Sequence, residues 1–334
     1  MKDIVVISGA AGMTGSLLAA DLLDRGNEVI GFDNYFAGSR DVIADLLPRK
    51  GFYFFDYDIT NTANMDSLFA HLRSNYDEPS LFAFVNCGAV VHTKHFYCPD
   101  DTFETNVVAM RDTLDRAVRI GFSIYINCSS SEVYSMKSYE EGGVLESTPV
   151  LMATAEQSMR TSYATGKLLT EFFMRDVVER GRIKGCSIRF ANVYSPSEAH
   201  EEHLIPFVIS SLLRDGRVLL FENARETRRT FLHNSDSCSA VTRLLYSPAA
   251  LDGTVYNVGT DEEITVVDLV NKIARLMGLE DVSVDYSGRR SADPPRRLLN
   301  TKKLCDMTGW APKISLDEGL RQCIEFQRKR LKGV

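Results

Sequence analysis

Short apolar runs alternate with segments of helical periodicity over the first half of the chain, and this alternation limits the fold more than any other feature. Runs that are nearly continuous in apolar residues predict strands buried on both faces. Such strands, separated by amphipathic helices, form parallel sheets with right-handed crossovers. The sequence therefore predicts an α/β fold with a Rossmann-type doubly wound parallel sheet. Strands are expected at residues 4–7, 29–32, 52–55, 81–85, 123–126 and 187–190, and helices at 17–23, 42–47, 65–72, 105–118 and 163–178.

The rhythm changes after residue 193, where shorter elements and a Pro/Arg-rich stretch follow. Nothing between the two parts has the composition of a linker. We therefore expect a smaller C-terminal α/β lobe that interleaves with the first domain, with the boundary between residues 192 and 193. Its expected helices are 206–213, 235–246 and 266–277, and its expected strand is 218–221.

The bulk composition excludes several classes of protein. The chain has 334 residues, of which 44% are hydrophobic, so it can bury a full core. Its net charge of −7 offers no basic face to a nucleic acid, and no apolar stretch reaches the roughly 18–20 residues of a membrane span. The N-terminus runs directly into a predicted strand, and the seven scattered cysteines form no CxxC pair. We therefore expect a cytoplasmic protein with free thiols and no nucleic-acid or membrane partner.

A glycine-rich turn follows the first predicted strand, where "SGAAGMTG" places Gly9, Gly12 and Gly15 before the first helix. Glycines there permit a tight turn, close approach of a pyrophosphate to the backbone and close packing of helix on sheet. The second predicted strand ends in Asp33, whose carboxylate suits a ribose diol and would repel a 2′-phosphate. This context predicts a dinucleotide site that prefers NAD to NADP.

The stretch "SYATGK" places Tyr163 and Lys167 on one face of a predicted helix. The unperturbed pKa of tyrosine is about 10, so a neighbouring ammonium is needed to favour the phenolate near neutral pH. Ser130, in "CSSSEVYS", follows the fifth predicted strand, at the edge where parallel sheets bind ligands. Together with the glycine turn, these residues predict a catalytic site rather than a surface pair.

With these motifs in place, the chain resembles the extended short-chain dehydrogenase/reductases of the NAD-dependent sugar-nucleotide epimerase/dehydratase family. The resemblance covers nearly the whole length and implies NAD as cofactor, a nucleotide-sugar substrate and a homodimer. It also implies an NAD-binding Rossmann domain over residues 1–192 and a mainly sugar-nucleotide-binding lobe over 193–334. It rests on the order and spacing of "SGAAGMTG", "DNYFAGSR", "DIT", "NCGA", "ETN", "SSSEVYS", "YATGK", "RFANVYSP", "RRTF", "YNVGT", "RRSADPPRR" and "GWAPKISLDEGL".

The resemblance assigns roles residue by residue. Tyr163 is the expected catalytic base, Lys167 binds the nicotinamide ribose and tunes Tyr163, and Ser130 holds the reacting hydroxyl. The other expected cofactor-binding residues are Gly9, Gly12, Met13, Gly15, Asp33, Asn34, Asp58, Ile59, Ala89 and Asn106. The expected substrate-binding residues are Ser131, Asn192, Arg229, Arg290 and His92. No metal site is expected, because His200 and His203 lack a third candidate ligand.

Several motifs depart from the usual form of the family. "VYS" replaces "VYG", "NCGA" replaces "HxAA", and "FENARET" contains no glycine where a glycine-rich turn is usual. The interval between Ser130 and Tyr163 is longer than the resemblance implies, which predicts an insertion within residues 136–157 near the sugar pocket. The departures concern the substrate side more than the redox core.

The resemblance leaves the reaction open. The family mechanism forms a 4-keto-sugar when Tyr163 removes a hydroxyl proton and NAD takes the hydride. A 4-epimerase, which we favour from the sequence, needs no further acid or base. The alternative is a 4,6-dehydratase or a nucleoside diphosphate (NDP)-uronate decarboxylase, in which Glu132 would take part. A non-catalytic NAD sensor is an outside alternative, disfavoured because Tyr163 and Lys167 are both present.

Glu132 is the residue on which these alternatives depend. If its segment stays extended, Glu132 projects to the same side as Ser130 and could serve as a base. The simpler interpretation is that it caps a helix or accepts hydrogen bonds from backbone amides. Ser197 stands where uronate-handling relatives often have arginine, whereas "HLIPFVISSLL" resembles a dehydratase segment.

Overall fold

The structure, a computed structural model, describes residues 3–77, 80–91, 93–136, 142–198, 203–289 and 294–331. Its strands are β1 (Ile4–Ser8), β2 (Glu28–Asp33), β3 (Phe52–Asp56), β4 (Leu81–Asn86), β5 (Ile124–Ser130), β6 (Lys184–Phe190), β7 (Asn192–Tyr194), β8 (Arg217–Leu220), β9 (Arg228–His233), β10 (Asp252–Val258), β11 (Glu263–Thr265) and β12 (Ser283–Tyr286). Its helices are α1 (Met13–Asp24), α2 (Thr62–Asn75), α3 (Pro99–Thr102), α4 (Ala109–Ile120), α5 (Thr161–Glu179), α6 (Leu204–Asp215), α7 (Asn234–Leu245), α8 (Val266–Met277), α9 (Lys302–Thr308) and α10 (Leu316–Leu331).

A seven-stranded sheet of order β10-β6-β5-β4-β1-β2-β3 forms the centre of the structure, and every neighbouring pair in it is parallel. One face is covered by a core to which Leu18 of α1, Val241 of α7 and Trp310 contribute. The other face packs against α2, α4 and α5. The predicted doubly wound α/β fold is therefore confirmed. Because the strand order reverses between β1 and β4, the carboxyl ends of these strands border the expected ligand crevice.

The helix predicted at 42–47 is wrong. Arg40–Ile43 forms one turn of 3-10 helix, and the chain continues in turns rather than in an α-helix. Pro48 limits this segment, because proline has no N–H to donate to the carbonyl of residue 44 and disfavours helical geometry in residue 47. Ile43 and Leu46 are nevertheless buried, so the apolar positions pack as expected although the helix does not form.

The second half of the chain builds a smaller lobe beside the sheet. Strands β7, β9 and β11 form one small sheet, and β8 pairs with β12. Helices α6, α8 and α10 share a separate apolar core with these strands. The lobe is interleaved with the first domain, because β10 returns to the central sheet beside β6. Within the described residues, no helix is long and apolar enough to cross a membrane.

Candidate active site

A cleft of about 1200 Å³ opens at the carboxyl ends of β1, β4 and β5 and extends to the C-terminal lobe. It brings together most of the residues predicted from the sequence, and His92, Arg290 and His200 lie outside the described residues. Asn106 does not line the cleft but exchanges two hydrogen bonds with the backbone of Val90, at 2.8 and 3.2 Å, and so holds the loop after β4. The predicted residues that line it are Gly9, Gly12, Met13, Gly15, Asp33, Asn34, Asp58, Ile59, Ala89, Ser130, Ser131, Glu132, Tyr163, Lys167, Asn192 and Arg229.

The glycine turn has the geometry of a dinucleotide cradle. Gly9 has a positive φ of 69°, and a Cβ on Gly15 would lie 2.1 Å from the carbonyl oxygen of Gly9. Only glycine therefore fits at the start of α1 without moving the turn. Asp33 braces the turn by accepting a hydrogen bond from the N–H of Ala11 at 3.0 Å, and its burial raises its pKa. A turn that is closed to side chains and open to the cleft fits the pyrophosphate of NAD.

Asn34 and Asp58 meet at the end of the cleft predicted for the adenosine. Asn34 Nδ2 donates a hydrogen bond to Asp58 Oδ2 at 2.9 Å. Burial alone would raise the pKa of Asp58, but hydrogen bonds from Thr60 and Asn34 outweigh it and lower this pKa. The two residues therefore form one polar edge of the cleft, as expected if they share a ligand.

Tyr163, Lys167 and Ser130 converge where β5 meets the inward face of α5. Both helical residues are buried, and Lys167 Nζ donates a hydrogen bond to the carbonyl oxygen of Cys128 at 2.8 Å. Burial lowers the pKa of Lys167 to about 8. Burial also raises the pKa of Tyr163, and a hydrogen bond with Ser130 opposes this rise. The ring of Phe96 stacks on Tyr163 at 4.0 Å between centroids and keeps water from one face of the phenol.

Glu132 is bound by two arginines. Strand β5 ends at Ser130, whose Oγ accepts a hydrogen bond from the N–H of Glu132, and the chain then forms a 3-10 turn instead of staying extended. The Glu132 carboxylate accepts from Arg160 Nη2 at 2.8 Å and from both terminal nitrogens of Arg297, of which Nη2 lies 3.3 Å away. Burial would raise the pKa of Glu132, but the two guanidinium charges hold it well below its usual range.

Neither arginine was predicted to have a role from the sequence. Arg160 lies three residues before Tyr163, and Arg297 ends the quoted stretch "RRSADPPRR", in which only Arg290 was assigned. Both arginine side chains line the cleft and are more than nine-tenths buried, with exposures of 8% and 3%. With Glu132 they form a cluster of two cations and one anion. The sugar end of the cleft is therefore lined by two guanidinium groups and one carboxylate.

A buried ion pair supports β5 from behind. The Glu171 carboxylate accepts from Ser129 Oγ at 2.6 Å and from Arg189 Nη2 at 2.6 Å, and both charged side chains are only 6% exposed. Ser129 immediately precedes Ser130. The pair therefore fixes the strand end that presents Ser130 to Tyr163.

Two histidines near the cleft have acidic partners. His203 Nδ1 contacts Glu198, and both residues line the cleft. His95 Nδ1 lies 2.9 Å from Asp101. The side chains of His95, Cys98 and Asp101 each place a potential metal-ligand atom within 4.8 Å of the other two. The sequence pattern does not indicate this group. The expectation of no metal site stays a prediction.

Comparisons with known proteins agree with this geometry. UDP-glucuronic acid decarboxylase 6 of Arabidopsis thaliana is 28% identical over 332 residues, or 98% of this chain and 89% of the relative. The dTDP-glucose 4,6-dehydratase of Streptomyces venezuelae, crystallised with NAD and TYD, has a TM-score of 0.85 at 25% identity and covers 99% of this chain and 98% of its own. UDP-glucose 4-epimerase of Thermotoga maritima, crystallised with UDP-glucose, has a TM-score of 0.84 at 23% identity, with 98% and 99% covered, and supports the fold alone. Residues 5–259 match the NAD dependent epimerase/dehydratase family, which confirms the resemblance seen in the sequence, and the chain belongs to that family.

Proposed function

We propose that the protein is an NAD-dependent enzyme that modifies a nucleoside diphosphate sugar through a 4-keto intermediate. The convergence of Tyr163, Lys167 and Ser130 beside the glycine turn supports this function. Gly9, Gly15, Asp33 and the adenosine edge would hold NAD, which when bound accepts and returns the hydride. The names of two similar proteins, a UDP-glucuronic acid decarboxylase and a dTDP-glucose 4,6-dehydratase, support a substrate among NDP-sugars.

Tyr163 would remove the proton of the sugar hydroxyl that is oxidised. Burial makes the phenolate costly, so the reaction depends on groups that favour the charged form. Lys167, with a pKa of about 8, is mostly an ammonium at neutral pH and supplies a nearby positive charge. Ser130 hydrogen-bonds Tyr163 and can hold the same hydroxyl of the substrate. Together, the three residues would move one proton between sugar and phenol.

Among the reactions that remain open, we propose decarboxylation of an NDP-uronate. The observation that carries this choice is the pair of buried guanidinium groups, those of Arg160 and Arg297, that line the sugar end of the cleft. Arginines suit a sugar carboxylate because their planar donors match its two oxygens. Loss of CO₂ from a 4-keto-uronate needs no base at C5. A dehydratase does need one, and the two arginines make the Glu132 carboxylate a poor base by holding its pKa low.

The 4-epimerase favoured from the sequence is the second candidate. It needs no acid or base beyond Tyr163, and Ser197 supports it because uronate-handling relatives often have arginine there. The discriminating experiment incubates the enzyme and NAD with UDP-glucuronate labelled in the carboxyl carbon, and separately with dTDP-glucose and UDP-glucose. Labelled CO₂ and an NDP-pentose are expected. Inversion of UDP-glucose without CO₂ release would establish the epimerase, and a 4-keto-6-deoxy product would establish the dehydratase.

Tyr163→Phe is the control for the whole reaction class. The variant should still bind NAD but lose turnover with every substrate, because the ring is retained and only the hydroxyl that transfers the proton is removed. Turnover near the wild-type rate would overturn the role of Tyr163. Arg297→Lys retains the charge but loses the planar fork, so it should weaken uronate turnover more than NAD binding.

We also propose that the chain forms a homodimer through α5 and the segment before α4. Exposed apolar side chains support this surface: Phe172 is 64% exposed, Phe103 53% and Leu169 40%. Packing of this surface against the same surface of a second copy would bury these apolar side chains and so favour a dimer. Phe172→Glu should convert a dimer to a monomer in size-exclusion chromatography with light scattering. Met307→Glu, at an exposed apolar residue on α9, is the matched control and should remain dimeric.

The assignment of ligands to the two lobes is likewise a proposal. The cleft residues predicted to hold NAD all precede residue 193, and Phe221 and Arg229 line the end predicted for the sugar nucleotide. These positions support a division into 1–192 and 193–334, interleaved through β10. We propose a cytoplasmic location, supported by seven cysteines that are all free thiols, as is usual in a reducing compartment.

A further inference from the structure

Two cysteine side chains face each other on the floor of the cleft. Cys87 Sγ lies 3.6 Å from Cys128 Sγ. Strands β4 and β5 are parallel neighbours, and the pairing of Asn86 with Asn127 places the two cysteines at the next opposed position. Neighbouring strands lie about 4.8 Å apart, which is within the 4.4–6.8 Å that separates Cα atoms joined by a disulfide. The backbone therefore already permits a bond between these sulfurs.

Access to this pair is through the cleft predicted to hold NAD. Cys87 is partly exposed, Cys128 is buried, and both line the cleft. The other five cysteines are absent from its lining, and two of them, Cys98 and Cys305, are exposed elsewhere. A small oxidant can therefore reach the pair from the cleft, and a ligand on the cleft floor would cover it.

We propose that Cys87 and Cys128 are an oxidative modification site that forms a reversible disulfide when NAD is absent. The two thiols lose two protons and two electrons, and a peroxide takes them up and becomes two molecules of water. A dithiol reductant reverses the reaction by thiol–disulfide exchange. The inference rests on the proposed function only for the identity of the ligand that covers the pair.

Formation of the bond would act on the cofactor site. The sulfurs must approach from 3.6 Å to about 2.05 Å. Cys87 packs directly on the glycine turn, since a Cβ on Gly9 would lie 2.8 Å from its backbone. The carbonyl of Cys128 holds Lys167 Nζ. The disulfide would therefore displace two groups expected to contact the cofactor, the glycine turn and Lys167. By linkage, the factor by which bound NAD disfavours the disulfide equals the factor by which the disulfide weakens NAD binding.

The local charges set the speed of the reaction. The hydrogen bond with Cys128 and burial both raise the pKa of Cys87, and only the charge of Lys167 opposes them. The thiolate is the form that attacks peroxide. Oxidation is therefore expected to be slow at neutral pH and to accelerate as the pH rises.

The test uses the full chain with Cys98→Ser and Cys305→Ser, which removes the exposed thiols. NAD-free protein is treated with hydrogen peroxide, the remaining thiols are alkylated, and unreduced peptides are mapped by mass spectrometry. The expected product is the Cys87–Cys128 linked peptide, lost on adding dithiothreitol. NAD at about 100 times its Kd should slow its formation about 100-fold, because only the free fraction reacts. Equilibrium dialysis should show weaker NAD binding by the oxidised protein.

Control variants separate this bond from other oxidation. Cys186→Ser removes a buried cysteine outside the cleft and should leave the linked peptide in place, whereas Cys87→Ser should abolish it. Alkylation of both cysteines after peroxide treatment would overturn the proposal, as would links to other cysteines or equal rates with and without bound NAD. The test does not measure turnover of a sugar, so failure of the proposed reaction would not change the mapping of the disulfide. Whether NAD binds at all is measured separately by the dialysis.

Discussion

Glu132→Gln tests whether the carboxylate is a structural counter-ion to two arginines. The side chains of Glu132, Arg160 and Arg297 are only 15%, 8% and 3% exposed. Removing one partner of a buried ion pair typically costs 3–5 kcal/mol, because it leaves an uncompensated charge. The amide of glutamine still accepts a hydrogen bond, so we expect a loss at the lower end, about 3 kcal/mol. This is a large part of the roughly 5–15 kcal/mol that stabilises a typical domain.

The pH dependence of this loss is specific to Glu132. The arginines hold its pKa in the folded protein far below the ordinary value of 4.5, so the stabilisation is complete above pH 4.5 and decreases as the pH falls. Below that value the unfolded chain binds a proton that the folded chain does not. The difference between wild type and Glu132→Gln should be constant from pH 7 to pH 5. It should shrink by about 1.4 kcal/mol at pH 3.5.

The assay is urea unfolding of the NAD-free protein, followed by the fluorescence of Trp310 and by circular dichroism. Glu263→Gln is the matched control, because the 11% exposed side chain of Glu263 also lies between two arginines, but Arg228 and Arg296 are 55% and 32% exposed. Water can solvate these arginines when the carboxylate is removed, so this control should lose less stability than Glu132→Gln. Equal losses in the two variants, or a loss in Glu132→Gln that does not change between pH 5 and pH 3.5, would refute the reasoning.

Three further substitutions test other parts of the structure. Gly15→Ala places a Cβ 2.1 Å from the carbonyl oxygen of Gly9, so we expect overpacking of about 1–3 kcal/mol and weaker NAD binding in a fluorescence titration; unchanged affinity would contradict the proposed cradle. Lys167→Met should stabilise the NAD-free protein at pH 7 by on the order of 3 kcal/mol while abolishing turnover, because burial lowers the pKa of Lys167 from 10.5 to about 8. The difference in free energy of unfolding between wild type and variant should decrease from pH 8 to pH 10.5, where only the unfolded lysine stays charged. A difference in urea unfolding that does not change with pH would exclude burial of the charged lysine as its cause. Gly319→Ala places a Cβ 1.9 Å from the buried Tyr194 hydroxyl and should destabilise the C-terminal lobe by about 1–3 kcal/mol, so an unchanged urea midpoint would show that the contact yields easily.

The parts of the fold that were predictable have local signals. A buried strand is predicted from a short apolar run alone. The turn after β1 is predicted from its glycines, which are required where a Cβ would clash with the backbone. The helix expected at 42–47 forms only one 3-10 turn, and Pro48 prevents any helix from continuing beyond residue 47. Asn106 was expected to bind the cofactor but holds the backbone of Val90, which no spacing rule indicates.

The arginine cluster could not be predicted because its contacts are not local. Arg297 and Glu132 are 165 residues apart in the chain. Their pairing depends on how the C-terminal part of the chain packs against the end of β5. Arg160 is near Tyr163 in sequence, but periodicity does not distinguish a buried arginine from one that extends into solvent.

The structure thereby changes what Glu132 implies about the reaction. As a free carboxylate beside Ser130 it would favour the dehydratase, because it could remove a proton from C5. Bound to Arg160 and Arg297, it is a poor base, and its own charge is already compensated. Both guanidinium groups line the sugar end of the cleft, where their planar donors match the two oxygens of a carboxylate. A neutral hexose has no carboxylate, whereas a uronate does, and this difference is why the proposed substrate is the acid.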